Sequence, residues 1–365
     1  MQHLANRTWK VGSMTGVLLL LTLVWFGVKR SEPTYQGRPL SYWIRELETY
    51  PGRDEYLKAK EALIQLGPVA ASRLAKLLDY RESDLLAAIR GRAPNRFRKL
   101  LTPTVDASMI NSRAFAILTE MGPNARSAVP EIIRLAESRV VETRLRTIEL
   151  LGTIGPASES VLAELVAILR TGSAQERELT ARSLGAIGPS AGTAVPDLVS
   201  AMKSNRIPLG IAVPALISVG HAPVEAVPLL IAQLRMNTNS FARVDFGELL
   251  GLIGPAAAPA VPVLIDALQD PESRTRARLA FALGQIGPNA SSAVPALTTA
   301  LDDEWWYVRE NAAIALGKLK SNAVTAIPVL ARLAQGDRNK DVRNAALEAI
   351  KSIRPNAVES PANEH

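Results

Sequence analysis

The chain offers little for covalent or metal chemistry. Its 365 residues include no cysteine and only three histidines, His3, His221 and His365. Thiolate ligation, disulfides and a cysteine nucleophile are therefore excluded. His3 and His365 lie near the ends of the chain, and His221 reads as a solvated loop residue. No phosphate-binding loop ending in Gly-Lys-Ser/Thr occurs, and no Gly-x-Ser-x-Gly elbow. The expectation is no catalytic, cofactor-binding or metal-ligating residue and no cofactor. The remaining polar and aromatic groups are suited to recognition.

Three groups carry that chemistry. The first is Trp305-Trp306-Tyr307, after Asp302-Asp303-Glu304; the corresponding residues one repeat earlier, Glu272, Ser273 and Arg274, are polar. Tryptophan and tyrosine are enriched where binding energy concentrates. Neighbouring helical positions point about 100° apart, so one indole is expected to pack and the other to stay free for a partner. The second is a basic run holding Arg90, Arg92, Arg96, Arg98 and Lys99, suited to an acidic protein, lipid headgroups or RNA. The third is an arginine that recurs as Arg144, Arg177, Arg243, Arg276, Arg309 and Arg343.

Those positions are set by a repeat. Gly122, Gly155, Gly188, Gly220, Gly254, Gly287, Lys320 and Arg354 follow an apolar residue at spacings of 33, 33, 32, 34, 33, 33 and 34. In the same register, Pro130, Pro196, Pro228, Pro262, Pro295 and Pro328 open an apolar run, and each recurring arginine precedes its marker by 11 residues. Periods in this range mean a solenoid or array. Each unit reads as two helices. Proline at the start of the first is tolerated because first-turn N–H groups have no helical partner. The second ends at the glycine, expected in the left-handed cap, with the following proline as a stop. Gly152, Gly185, Gly251, Gly284 and Gly317 lie inside second helices, where each costs roughly 1 kcal/mol relative to alanine; a shared level implies close approach of a neighbouring helix. The marker Gly67-Pro68 extends the array back to residue 39, for about nine hairpins over 39–353 with an insert at about 80–108. The fifth hairpin departs from the pattern: Leu209 replaces the arginine, and Pro208 and Pro214 are expected to interrupt its second helix.

The run Val308-Arg309-x-x-Ala312-Ala313-x-Ala315-Leu316-Gly317, preceded by Asp302-Asp303, resembles HEAT repeats, and looks like the short subtype of phycobilin lyases. The resemblance implies an all-α solenoid with an internal ladder between neighbouring repeats, in which Asp270, Asp302 and Asp337 pair near Arg276, Arg309 and Arg343. HEAT-like hydroxylases with a di-iron centre carry repeated His-Glu pairs, and this chain has none inside its repeats.

Upstream, Val11–Val28 is an 18-residue stretch without a charge. At helical rise it measures about 27 Å, near the hydrocarbon thickness. It reads as one transmembrane signal anchor, because Trp25-Phe26-Gly27 offers no small-residue cleavage site. Residues 1–108 hold 17 Lys and Arg against 10 Asp and Glu, while 109–365 hold 25 of each. The excess beside the apolar segment suits anionic headgroups, and the balance elsewhere makes nucleic acid an unfavoured partner. Flanking charge favours a cytoplasmic body and the length of the distal region favours translocation; the side is open, with a slight lean to extracytoplasmic.

The expected organisation is a tail and anchor at 1–30, a polar linker at 31–38, the solenoid at 39–353 and a disordered tail at 354–365. The expected function is a non-catalytic, single-pass membrane scaffold that binds another protein. The alternatives are a lyase-like accessory holding a cofactor or chromophore, and nucleic-acid or anionic-lipid binding through the basic insert.

Overall fold

The computed structural model describes residues 32–47, 54–78, 107–155 and 159–355. The apolar stretch Val11–Val28, nearly all of the insert and all but the first two residues of the C-terminal tail lie outside these residues, as do Arg90, Arg92, Arg96, Arg98 and Lys99. The chain divides into two compact units, Met1–Val161 and Leu162–His365.

The first unit opens with strands β1 (Thr34–Tyr35) and β2 (Arg38–Pro39), paired antiparallel with Tyr35 opposite Arg38. The expected linker is therefore in part a tight hairpin. Its turn residues Gln36 and Gly37 have φ of 50° and 73°, the sign that matches the twist of two-residue hairpins. Trp43 anchors it by donating from Nε1 to the Tyr35 carbonyl at 3.3 Å. Three helix pairs follow: α1 (Leu40–Glu46) with α2 (Asp54–Leu66), α3 (Pro68–Ala75) with α4 (Ala107–Met121), and α5 (Val129–Arg134) with α6 (Val141–Ile154). Arg144 on α6 donates to the Ser138 carbonyl at 2.8 Å.

The second unit continues as α7 (Glu159–Thr171, which the division crosses) with α8 (Ala174–Ile187), then α9 (Val195–Lys203) with α10 (Leu209–Ser218) and α11 (Val227–Met236) with α12 (Ser240–Ile253). The last pairs are α13 (Val261–Ala267) with α14 (Ser273–Ile286), α15 (Val294–Ala300) with α16 (Trp306–Lys318), and α17 (Ile327–Gly336) with α18 (Lys340–Ile353). Pro196, Pro228, Pro262, Pro295 and Pro328 all sit in the first turn of their helices. The glycine after α14 differs from expectation. Gly287 has φ 72° and ψ −147°, which is not the left-handed helical cap but a region reached almost only by glycine. Pro288 does not stop the chain there: it opens a 3₁₀ segment, Gly287–Ala293, that leads into α15. The same break divides Ser240–Ala267, a 28-residue stretch apolar enough on composition to cross a membrane. Gly254 ends α12 with φ 72°, and the chain continues to α13 through the 3₁₀ segment Gly254–Ala260.

Second helices stack through small residues. A Cβ placed on Gly251 would lie 3.1 Å from the Cα of Ala282, on Gly284 2.8 Å from Ala315, and on Gly317 2.9 Å from Ala349. Gly185 meets Ala215 in the same way at 3.1 Å. Backbone therefore approaches backbone, and leucines on either side of the contact fill the core, among them Leu283, Leu316 and Leu319.

The arginine ladder joins neighbouring hairpins, as the resemblance implies, but with other partners than Asp270, Asp302 and Asp337 beside Arg276, Arg309 and Arg343. Arg243 pairs with Asp270 at 2.5 Å, Arg276 with Asp303 at 2.7 and 3.0 Å, and Arg309 with Asp337 at 2.8 and 2.9 Å. Each carboxylate thus takes the arginine of the preceding hairpin. The arginine of its own hairpin takes the aspartate's backbone carbonyl instead: Arg276 reaches Asp270 O at 2.9 Å, Arg309 reaches Asp303 O at 2.9 Å, and Arg343 reaches Asp337 O at 2.6 Å. Asp302 is not a rung; its exposed carboxylate pairs with Arg332. The spacing explains this, since Asp270, Asp303 and Asp337 each precede the arginine of their own hairpin by six residues, and Asp302 precedes Arg309 by seven.

At the fifth hairpin, α9–α10, the turn has no aspartate. Arg177 donates instead to the carbonyls of Arg206 at 3.1 Å and Gly172 at 2.5 Å. Pro208 does not interrupt α10; it is the N-cap, and its carbonyl accepts from Ala212 at 2.9 Å. Pro214 is inside the helix and leaves the Gly210 carbonyl without its helical donor.

Two substitutions of one kind should act oppositely. Gly284→Ala pushes a methyl group against backbone and is expected to cost about 1–3 kcal/mol. Gly210 has nothing within 4 Å of its Cβ position, so Gly210→Ala is expected to be neutral or to stabilise by up to about 1 kcal/mol. Chemical denaturation of both variants checks the pair.

The ladder also sets an acid limit. Burial works against ionisation of Asp303, but the hydrogen bonds from Arg276 and the Trp305 N–H, with the charges of Arg276 and Arg309, hold its carboxyl below the usual range. The Arg309 hydrogen bond is the main cause of the same shift at Asp337. A lowered folded-state value stabilises fully above the ordinary aspartate range near about pH 4, and that contribution is lost as the pH falls through the lowered value. Asp337→Asn is expected to cost about 2–3 kcal/mol at neutral pH and to flatten the acid limb of a stability–pH curve measured in urea.

Candidate functional site

The aromatic triplet sits directly on the ladder. Asp303, held by Arg276, also accepts the backbone N–H of Trp305 at 2.9 Å. The same bond recurs from Asp270 to Glu272 at 2.9 Å and from Asp337 to Asn339 at 2.8 Å. One carboxylate thus fixes the turn, the neighbouring hairpin and the residue that caps the second helix. In the eighth hairpin, α15–α16, that residue is Trp305, with extended φ/ψ of −89° and 120°, and Trp306 is the first residue of α16.

Both indoles are exposed, Trp305 at 53% and Trp306 at 40%. The expectation of one packed and one free ring is therefore incorrect. It assumed that both positions are helical, whereas Trp305 lies before the helix in extended backbone, so the 100° rule does not apply between them. Tyr307 is half-buried, and its ring meets Trp306 edge-on at 5.5 Å between centroids with 70° between planes.

One turn further along α16 lies Glu310, half-buried. Burial raises its pKa, and the negative charge of Asp341 on α18 raises it further. Among the described residues no ion pair joins Glu304, Glu310 or Asp341 to a cation, while the neighbouring Asp302, Asp303 and Asp337 are all paired with arginine. Glu310 and Asp341 were not singled out from sequence, because their proximity depends on the stacking of α16 against α18.

A second surface lies on the exposed side of the second helices. A shallow groove of about 410 Å³ between α12 and α14 is lined by Leu252, Phe281 and Gln285, with Glu248 and Arg278 3.5 Å apart along it. The Lys318 ammonium lies 4.9 Å from the centre of the Phe281 ring and bonds Gln285 at 2.9 Å. Its charged groups face one another, although the buried Arg278 Nε makes no hydrogen bond. His221 lies 3.4 Å from the Glu225 carboxylate in the loop after α10. Among the described residues, no cluster of three or more histidine and acidic side chains could hold a metal ion.

A family model for HEAT repeats matches residues 261–351, which span α13 to α18. None of the curated proteins matches the sequence. Among solved structures, an engineered protein is 20% identical over 86% of this chain and 98% of its own, with a TM-score of 0.45. Human deoxyhypusine hydroxylase in complex with glycerol is 20% identical over 79% of this chain and 99% of its own, with a TM-score of 0.30. A Kap121p mutant is 14% identical over 88% of this chain and 42% of its own, with a TM-score of 0.48. Likenesses at that level carry no functional inference. The described chain is a helical repeat protein whose residues 261–351 match HEAT repeats.

Proposed function

We propose that this chain is a non-catalytic scaffold, tethered to a membrane through Val11–Val28, that holds a partner protein at the rim of its HEAT-type hairpins. The observation that carries the reading is the pair of exposed indoles, Trp305 and Trp306, at a turn whose counterparts in the sixth, seventh and ninth hairpins, Asn239-Ser240, Glu272-Ser273 and Asn339-Lys340, are polar or charged. Much of each indole surface is left outside the fold of its hairpin, and adjacent large rings are the side chains that most often concentrate binding energy. The ladder holds the turn rigid, which limits the entropy lost when a partner docks. The tether is supported by the uncharged 18-residue stretch and the basic residues that flank it.

The test separates packing from recognition. Trp305→Ala and Trp306→Ala are each expected to change stability by less than about 1 kcal/mol, since surface substitutions cost little. A tryptophan buried in a core would cost about 3–5 kcal/mol. Proximity labelling in the native cell with the intact chain should recover a discrete set of neighbours that the double variant loses. If the double variant folds normally and keeps the same neighbours, this site is not where the partner binds.

A further inference from the structure

We infer that the surface formed by Trp306, Tyr307, Glu310 and Asp341 receives a cationic side chain, lysine or arginine, from a peptide segment of the partner. This rests on the scaffold reading above and names the chemistry of the same site.

The argument starts with the rings. Trp306 and Tyr307 are held edge to face with 70° between their planes, so their negative faces point in two different directions. Lysine and arginine are attracted to such faces, tryptophan's most strongly. An apolar ligand would also pack against the rings, so the neighbouring charges decide between the two.

Those charges are specific to this hairpin. Glu310 follows Trp306 by four residues and Tyr307 by three, which places all three on one strip of α16. Glu310 is half-buried, lies in the field of Asp341 and has no cationic partner among the described residues. Ionised Glu310 therefore carries an uncompensated desolvation cost and a like-charge repulsion. A cation seated against Trp306 would relieve both, whereas an acidic ligand would add to them.

The nearby arginines do not supply that cation. Arg276 is bound to Asp303, Arg309 to Asp337 and Arg332 to Asp302. The next turn carries exposed Arg338 and Lys340, so the rim as a whole is mixed in charge. Selectivity comes from the local field at Glu310 and not from net charge. In the preceding hairpin the equivalents of Trp306, Tyr307 and Glu310 are Ser273, Arg274 and Ala277, which provide neither rings nor carboxylate. The arrangement is a departure from the repeat and not a consequence of it.

The test uses the purified full-length chain and three fluorescent decapeptides: one alternating lysine or arginine with serine, one with glutamate at the cationic positions, and one with leucine there. The basic peptide is expected to bind most tightly, with affinity that falls as salt rises. Trp306→Ala should weaken it about thirtyfold, and the pair Glu310→Gln with Asp341→Asn about tenfold or more. Circular dichroism melting confirms that each variant is folded. Lys340→Gln, outside the site, should leave binding intact or strengthen it. If the leucine peptide binds as well as the basic one and is lost only with Trp306→Ala, the cation assignment falls and the aromatic docking site stands. If no peptide binds up to millimolar concentration, or the basic peptide ignores all of these substitutions, the inference is overturned.

Discussion

The interaction on which the second unit depends is an aspartate with three partners. Asp303 receives the guanidinium of Arg276 from the preceding hairpin, caps the N–H of Trp305 at the start of its own second helix, and offers its carbonyl to Arg309. Asp337 repeats the arrangement with Arg309, Asn339 and Arg343. Each rung joins two hairpins and one helix terminus, so the turns have defined positions relative to one another. An isolated surface ion pair contributes little. These pairs are mostly shielded from solvent, bidentate at Asp303 and Asp337, and bonded to backbone, which is the setting where removal of one partner is costly.

Between the rungs, packing is governed by size. Gly251, Gly284 and Gly317 face Ala282, Ala315 and Ala349 so closely that no side chain fits between the backbones. The conformational cost of glycine inside a helix is offset by a contact of main chain on main chain, with larger residues filling the flanks. Where the pattern lapses, the chain is less well served. Lys320 occupies the register position of Gly287 and keeps a positive φ of 55°, a conformation that costs a residue with a Cβ about 1–2 kcal/mol.

The proposed function draws on what the ladder leaves unused. Three aspartates near the eighth hairpin are neutralised by arginines from the array, whereas among the described residues Glu310 and Asp341 are not. Two indoles lie at the rim turn where Asp303 holds the Trp305 N–H, and about half of each ring system is left exposed. In the proposed scaffold, this turn would offer a partner partly exposed aromatic surface and a carboxylate that no arginine neutralises among the described residues.

The sequence by itself determined the periodic features. The 33-residue register, the first-turn prolines, the paired helices and the small residues at helix contacts are all legible, because each is a local requirement repeated at a fixed interval. It also marked Trp305-Trp306-Tyr307 as foreign to the pattern. Tertiary structure decided whatever depends on which hairpin a side chain reaches. The carboxylate of the rung is Asp303 and not Asp302, and it serves the preceding arginine; the six-residue interval to its own arginine was a usable signal, but the direction of the bond was not. Trp305 proved to be an extended cap and not a helical residue, because the bond from Asp303 fixes where α16 begins. The approach of Glu310 to Asp341 across α16 and α18 joins residues 31 positions apart. A one-dimensional pattern can specify that two helices stack. Which exposed side chains then face one another depends on the offset between them, and that offset is set only when glycine and alanine bring the backbones into contact.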